Sequence, residues 1–248
     1  MTNRSVETSP QLYARLAGIL YLYIIVAGSF AEIFVRSRLV VSDDATATAN
    51  NIASNELLFR LGFSGELLHL AFDVVISVIL YALLRPVDKY ISLLAAFTRV
   101  ACDIILAITS ISHFVVLKLL EGSDFLKAFQ ADQLHSLALL AMRLHGDGYA
   151  ISLVFFSFTC FSLGYLILKS SFLPKVIGGL LVVAGVCYFL NSFTHFLNPK
   201  FAATLFPAIF VPIFIAELSL TLWLIVKGVN VARWQEMFAM RSLKPSSA

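Results

Sequence analysis

The chain has 248 residues, of which 59% are hydrophobic and 13% are charged, and its formal net charge is +3. Soluble domains carry about 25% charged residues, so this composition excludes a disordered chain, a nucleic-acid binder and an ordinary cytosolic enzyme. The three cysteines show no CxxC or Cys/His spacing, so we expect neither a disulfide framework nor a zinc knuckle.

Six apolar runs are each long enough to cross a bilayer, which takes about 20 helical residues. In lipid each must be helical, because only a helix satisfies its own backbone there. We therefore predict one all-α membrane domain (1–248), a bundle of six transmembrane helices near 14–35, 61–84, 91–117, 148–168, 176–197 and 205–226. The connections 36–60 and 118–147 are predicted to be outer loops. Within the second, 132–144 has the pattern of a helix lying at the interface or packed on the bundle.

Lysine and arginine are unevenly divided between the two sides of this predicted bundle. The side with both termini carries only three acids, Glu7, Asp88 and Glu236, beside ten basic residues: Arg4, Arg15, Arg85, Lys89, Lys169, Lys175, Lys227, Arg233, Arg241 and Lys244. Because basic loops stay on the cytoplasmic side, we expect both termini to be cytoplasmic. The expected location is the cell membrane, inner or plasma, in a multi-pass arrangement.

Short apolar motifs occur in a fixed order from about residue 12 to residue 230. They include Ala14-Arg15-Leu16-Ala17-Gly18, Phe59-Arg60-Leu61-Gly62-Phe63, Leu83-Leu84-Arg85-Pro86-Val87, and a stretch from Gly148-Tyr149 to Phe172-Leu173-Pro174-Lys175. In this order the chain resembles a bacterial family of integral membrane proteins, domain-of-unknown-function family 4386. The resemblance implies a multi-pass bacterial membrane protein. It brings no established activity and no assigned catalytic residues.

Polar residues form a stripe on each of two successive predicted helices. The stripes consist of Gly62, Glu66, His69, Asp73 and Ser77, and of Ser92, Arg99, Asp103, Ser110 and His113. The spacings put each set on one helical face. A short loop joins the two helices, so we expect them to be antiparallel neighbours with their stripes facing each other.

Ionisable residues inside a span are costly, and they mark a functional hypothesis by default. The helical rise places a cluster near the midplane, formed by Asp73, Arg99, Asp103 and Glu217, and an outer polar vestibule with Glu66, His69, His113 and His145. We predict that Arg99 pairs with Asp73 or Asp103 through its forked donors. Glu217 is then the carboxyl left over, which takes a proton or recruits a cation.

Two prolines accompany Glu217 on the sixth predicted helix. Pro207 and Pro212 each remove a helix hydrogen bond and are expected to kink the helix. Carbonyls freed near Ala208 would then line the cavity or bind a cation.

A metal site has weaker support from spacing. Glu66-x-x-His69 places a carboxylate and an imidazole on adjacent turns, and Asp73 and His113 complete a candidate set. However, only one such pair exists and no HExxH is present, so we expect no metal. No two histidines are placed to hold a haem.

Three functional hypotheses remain open. The first is a small transporter or membrane sensor that uses the outward vestibule. The second is an intramembrane enzyme acting on a lipid-type substrate, by metal or acid/base chemistry. In the third, the polar residues only hold the helices in register. No catalytic residue or cofactor is assigned. The expected partners are the lipid bilayer and a small-molecule, ion or lipid ligand, with no nucleic acid.

Overall fold

The computed structural model describes residues 9–242, which are helical almost throughout and contain no β-strand. The helices are α1 (Pro10–Leu39), α2 (Ala45–Ser54), α3 (Glu56–Leu84), α4 (Lys89–Leu120), α5 (Ala131–Lys169), α6 (Lys175–Leu197), α7 (Pro199–Leu205), α8 (Phe210–Val226) and α9 (Val231–Ser242). Five of these are long and apolar enough to span a membrane. The pair α7 and α8, bent by 55°, makes a sixth candidate span. The predicted all-α fold of a multi-pass membrane protein is confirmed.

Local sequence signals explain several helix ends. Asp44 caps α2 by accepting a hydrogen bond from the Ala47 amide at 2.7 Å. Asn198 caps α7 in the same way, and Pro199 occupies the first helical position, where no amide hydrogen is needed. Gly228 follows α8 with a φ of 66°, a conformation that glycine adopts without strain.

The connections expected to be outer loops are largely helical. α1 continues to Leu39, through a π-helical turn at Ala31–Arg36, and α2 fills much of the first connection. In the second connection a 3₁₀ turn, Asp124–Leu126, precedes α5. The amphipathic stretch 132–144 is not a separate helix, because α5 runs without a break from Ala131 to Lys169.

The predicted effect of the two prolines is right for one of them. Pro207 lies in the break between α7 and α8. Pro212 does not kink α8, because it falls in the first turn, where amide groups have no intrahelical acceptor. The Ala208 carbonyl is not freed, since it accepts a hydrogen bond from the Val211 amide at 3.1 Å.

The chain divides into two compact units. Unit 1 takes its described residues from Met1–Leu22, Asp73–Val100 and Leu153–Ala248, and unit 2 consists of Tyr23–Phe72 and Ala101–Ser152. The single-domain organisation and the cytoplasmic location of both termini stay predictions. Three charged residues used for that orientation, Arg4, Glu7 and Lys244, lie outside the described residues.

Each unit has its own packing. In unit 1, α9 is hydrogen-bonded to the end of α3 and to the segment that follows it: the Trp234 indole donates to the Leu83 carbonyl at 2.9 Å, and Arg241 donates to the Pro86 carbonyl at 3.2 Å. Unit 2 has a buried apolar core formed by Val35, Leu39, Ile52, Phe59, Val116, Leu117, Ala138, Ala141 and Met142.

Candidate functional site

Unit 1 contains a buried ion pair between α3 and α4. Arg99 donates to Asp73 twice, from Nε to Oδ2 at 2.9 Å and from Nη2 to Oδ1 at 2.5 Å. Both side chains are almost fully buried. The rings of Tyr21 and Phe156 lie 4.7 and 5.2 Å from the guanidinium carbon, within cation–π range. The predicted pairing of Arg99 with Asp73 is confirmed, and its burial makes the pair a strong constraint on how α3 packs against α4.

Glu217 is buried on α8 in the same unit, facing the interior as expected. The Tyr188 hydroxyl of α6 donates to Glu217 Oε1 at 2.6 Å. A phenol is a neutral partner and does not compensate the charge of a carboxylate. Asp103, the fourth member of the expected midplane cluster, is buried in unit 2. A bridge from Arg99 to Asp103 stays a prediction.

Little space exists beside the ion pair. The cavity next to Arg99, which also borders Ser77, Ser92 and Thr159, measures about 10 Å³. A single water molecule needs roughly that volume. Within unit 1, this part of the cluster is therefore packed and offers no substrate-sized pocket.

Unit 2 contains a second polar cluster, built from three helices. Glu66 of α3, His113 of α4 and His145 of α5 bring one carboxylate oxygen and two ring nitrogens within 4.8 Å of one another. Nε2 of His145 lies 3.0 Å from Glu66 Oε1, and Nδ1 of His113 lies 3.5 Å from Glu66 Oε2. The Ser110 hydroxyl donates to Glu66 Oε1 at 2.7 Å and helps fix the carboxylate. The same three residue types bind transition metals in proteins.

Apolar and aromatic groups enclose this cluster. The rings of Phe59 and Phe63 lie 4.3 and 5.9 Å from the His113 ring. Phe59 also belongs to the buried core of unit 2. Gly148 helps to bring α5 close, because a Cβ at this position would fall 1.8 Å from the Thr109 methyl group of α4. The expected polar vestibule is thus bounded here by buried apolar side chains.

Several nitrogens in the cluster have no hydrogen-bond partner. Both ring nitrogens of His113 and Nδ1 of His145 are buried and make no hydrogen bond among the described residues, and Nδ1 of His113 has only the 3.5 Å contact with Glu66 Oε2. More than nine in ten buried polar groups in proteins are hydrogen-bonded, so unpaired ones need an explanation. Three in one cluster, beside a carboxylate, make this cluster the candidate site of unit 2.

The sequence predicted only some of the residues that meet in this cluster. Glu66, His69, His113 and His145 were all assigned to the outer vestibule, and three of them meet. The metal candidates were Glu66, His69, Asp73 and His113, and the structure groups two of these with His145 instead. Asp73 pairs with Arg99 in unit 1. The small residues at Gly146 and Gly148 are the sequence signal that α5 approaches its neighbours closely near His145.

Comparison with known proteins gives a family but no activity. The family described as "Domain of unknown function (DUF4386)" matches residues 16–228, which is most of the chain. The chain is also 27% identical, over 164 residues, to an uncharacterized protein of Archaeoglobus fulgidus; this match covers 66% of the chain and 82% of the relative. No solved structure shows significant similarity. The chain belongs to the DUF4386 family.

Proposed function

We propose that this member of the DUF4386 family is a membrane protein that binds a divalent transition-metal ion through Glu66, His113 and His145. The observation that carries the proposal is the buried cluster of one carboxylate and two imidazoles with unpaired nitrogens. Imidazole and carboxylate together suit zinc and its first-row neighbours. Magnesium and calcium are disfavoured, because they prefer oxygen ligands alone.

The distances are close to those that a metal requires. Ligands at about 2.1 Å from a tetrahedral zinc ion are roughly 3.4 Å from one another. The His145–Glu66 and His113–Glu66 contacts, at 3.0 and 3.5 Å, bracket this value. All three ligand atoms lie within 4.8 Å of one another, so binding an ion requires the side chains to draw closer together.

The number of ligands in the set indicates a catalytic use of the bound ion. Three protein ligands leave a fourth tetrahedral position, as in catalytic zinc sites, where the ion acts as a Lewis acid on a bound ligand. The first candidate function is therefore that of an enzyme, which uses the metal ion to act on a lipid-type substrate inside the membrane.

The second candidate is a transporter or membrane sensor, in which the ion itself is the cargo or signal. The buried Glu217, which is bonded to Tyr188, favours this candidate. Glu217 is an ionisable residue inside a span, and the metal site does not account for it.

Metal content tests binding directly. The protein is purified with a tag that contains no histidine, exposed to zinc chloride, dialysed and analysed for zinc. We expect about one ion per chain in the wild type and a loss of at least tenfold in affinity for Glu66→Gln, His113→Asn and His145→Asn. Glu56→Gln on α3 and His135→Asn on α5 are matched controls outside the cluster, and both should retain zinc. Equal zinc content in cluster and control variants would contradict the proposal.

Flux separates the two uses of the ion. Proteoliposomes that enclose a zinc-sensitive dye are mixed with zinc chloride on the outside. A resident ion predicts no protein-dependent signal and slow exchange of bound zinc. A transporter predicts a signal that His145→Asn abolishes and His135→Asn leaves unchanged. The second result would replace the enzyme hypothesis by the transporter hypothesis.

A further inference from the structure

A guanidinium lies next to the proposed metal site. Nη2 of Arg36, at the end of α1, would be 2.5 Å from a Cβ built on Gly146, the residue that follows His145. The site therefore has a permanent cation at its edge.

This guanidinium has no protein partner among residues 9–242, although it is half-buried. Two other arginines of unit 2 are bonded: Arg60 pairs with Glu56 at 2.6 Å, and Arg143 donates to the Ser42 carbonyl. A guanidinium presents five donors in a planar fork that fits carboxylates and phosphates. The donors of Arg36 are thus available to a ligand that carries an oxyanion.

The backbone around Arg36 has two features that place it there. Arg36 is the last residue of the π-helical turn Ala31–Arg36. Turns of this kind are rare in proteins, and those that occur are often found at functional sites. Gly146 leaves the space into which the guanidinium extends, and a methyl group there would push the guanidinium away. Since the displaced group is the flexible end of a side chain, alanine at position 146 would move the cation at little cost in stability.

We propose that Arg36 binds the phosphate group of a ligand, one oxygen of which occupies the open position on the metal held by Glu66, His113 and His145. The inference rests on the proposed function, because the metal is the second anchor. A phosphate has enough oxygens to contact a metal and a guanidinium at once. Arg36 lies three residues before Leu39, where the candidate span α1 ends. Lipid headgroups and dissolved ions both reach the end of a span, so the phosphate group can come from a lipid or from a free anion.

Cobalt substitution makes the ligand visible. The full protein, in phosphatidylcholine nanodiscs, is loaded with cobalt chloride, and its visible d–d bands are recorded during titration with inorganic phosphate. In a second arm, part of the phosphatidylcholine is replaced by phosphatidic acid. We expect the bands to change in at least one arm: a change with inorganic phosphate alone identifies a free anion, and a change with phosphatidic acid alone identifies a lipid headgroup.

Variants test the role of Arg36 in that change. Arg36→Gln should bind cobalt as the wild type does but require at least about tenfold more of the anion. Arg36→Lys keeps the charge and loses the fork, so its affinity for the anion should lie between those of Arg36→Gln and the wild type. Gly146→Ala should lower the affinity for the anion and leave the affinity for cobalt unchanged. Arg38→Gln, an exposed arginine two residues away, is the matched control and should behave as the wild type.

Two results would overturn the inference. One is an anion response in Arg36→Gln equal to that of the wild type, and the other is no response to either anion in the cobalt-loaded protein. Failure to bind cobalt would instead contradict the proposed function. In that case thermal unfolding decides the role of Arg36: a rise in Tm with phosphate that Arg36→Gln removes and Arg38→Gln keeps supports an anion site, and no rise refutes it.

Discussion

Each unit of the molecule contains one buried polar cluster, and the two differ in how their polar atoms are satisfied. In unit 1 a guanidinium and a carboxylate meet through two hydrogen bonds, between two aromatic rings. In unit 2 a carboxylate meets two imidazoles, and three ring nitrogens make no hydrogen bond with any of the residues that the structure describes. The first cluster has opposite charges in contact and almost no free volume, as a structural constraint requires. The second has a carboxylate and two imidazoles but no permanent cation in contact with them among residues 9–242, and it is the cluster to which we assign the proposed metal site.

The largest effect should come from breaking the pair in unit 1. Arg99→Gln leaves Asp73 buried without a cation and should lower the free energy of unfolding by about 3–5 kcal/mol. The measurement is denaturant or thermal unfolding in detergent. The double variant Arg99→Met with Asp73→Leu removes both charges and should recover most of the loss. A single variant as stable as the wild type would mean that the pair does not hold α3 and α4 together.

The second largest effect should come from adding zinc to unit 2. A ligand that binds only the folded state, at a hundred times its Kd, stabilises by about 2.7 kcal/mol. Zinc should therefore raise the Tm of the wild type and of Arg99→Gln alike, since the pair in unit 1 takes no part in binding. It should not raise the Tm of His113→Asn. A zinc response that depends on Arg99 rather than on His113 would reverse the assignment of the two clusters.

The smallest effect concerns Glu217, which also lies in unit 1 but has no cation in contact with it among residues 9–242. Glu217→Gln keeps an acceptor for Tyr188 and resembles the neutral acid, so its cost should be at most about 1 kcal/mol. Infrared spectroscopy should detect a protonated carboxyl stretch that this variant loses. If Glu217→Gln destabilises as much as Arg99→Gln, and no such stretch is seen, Glu217 is an ionised structural partner and the expectation that it takes a proton is wrong.

Sequence reasoning predicted the spans and the unit 1 pair because both follow from patterns within continuous helices. Twenty apolar residues in a row allow little but a membrane helix, and the spacing of Asp73 and Arg99 from their shared loop puts them at one depth. Glu66 and His113 face each other for the same reason.

The rest depended on packing that no local pattern encodes. Residues 132–144 have the pattern of a separate helix in an outer connection, yet α5 runs without a break from Ala131 to Lys169, so His145 enters the cluster on that long helix. The close approach of α5 to Thr109 and to Arg36 depends on the missing side chains of Gly148 and Gly146, and glycines at these positions could also be read as a loop. The expected effect of Pro212 was wrong because a first-turn proline costs no hydrogen bond.

Zinc X-ray absorption on the loaded wild-type protein tests the central claim most directly. The account predicts nitrogen and oxygen ligands at about 2.0–2.1 Å, with the multiple-scattering pattern of two imidazoles, and one imidazole fewer in His145→Asn. His135→Asn should give the wild-type spectrum. Zinc held by sulfur, or a spectrum with the same number of imidazoles in His145→Asn as in the wild type, would contradict a metal site formed by Glu66, His113 and His145.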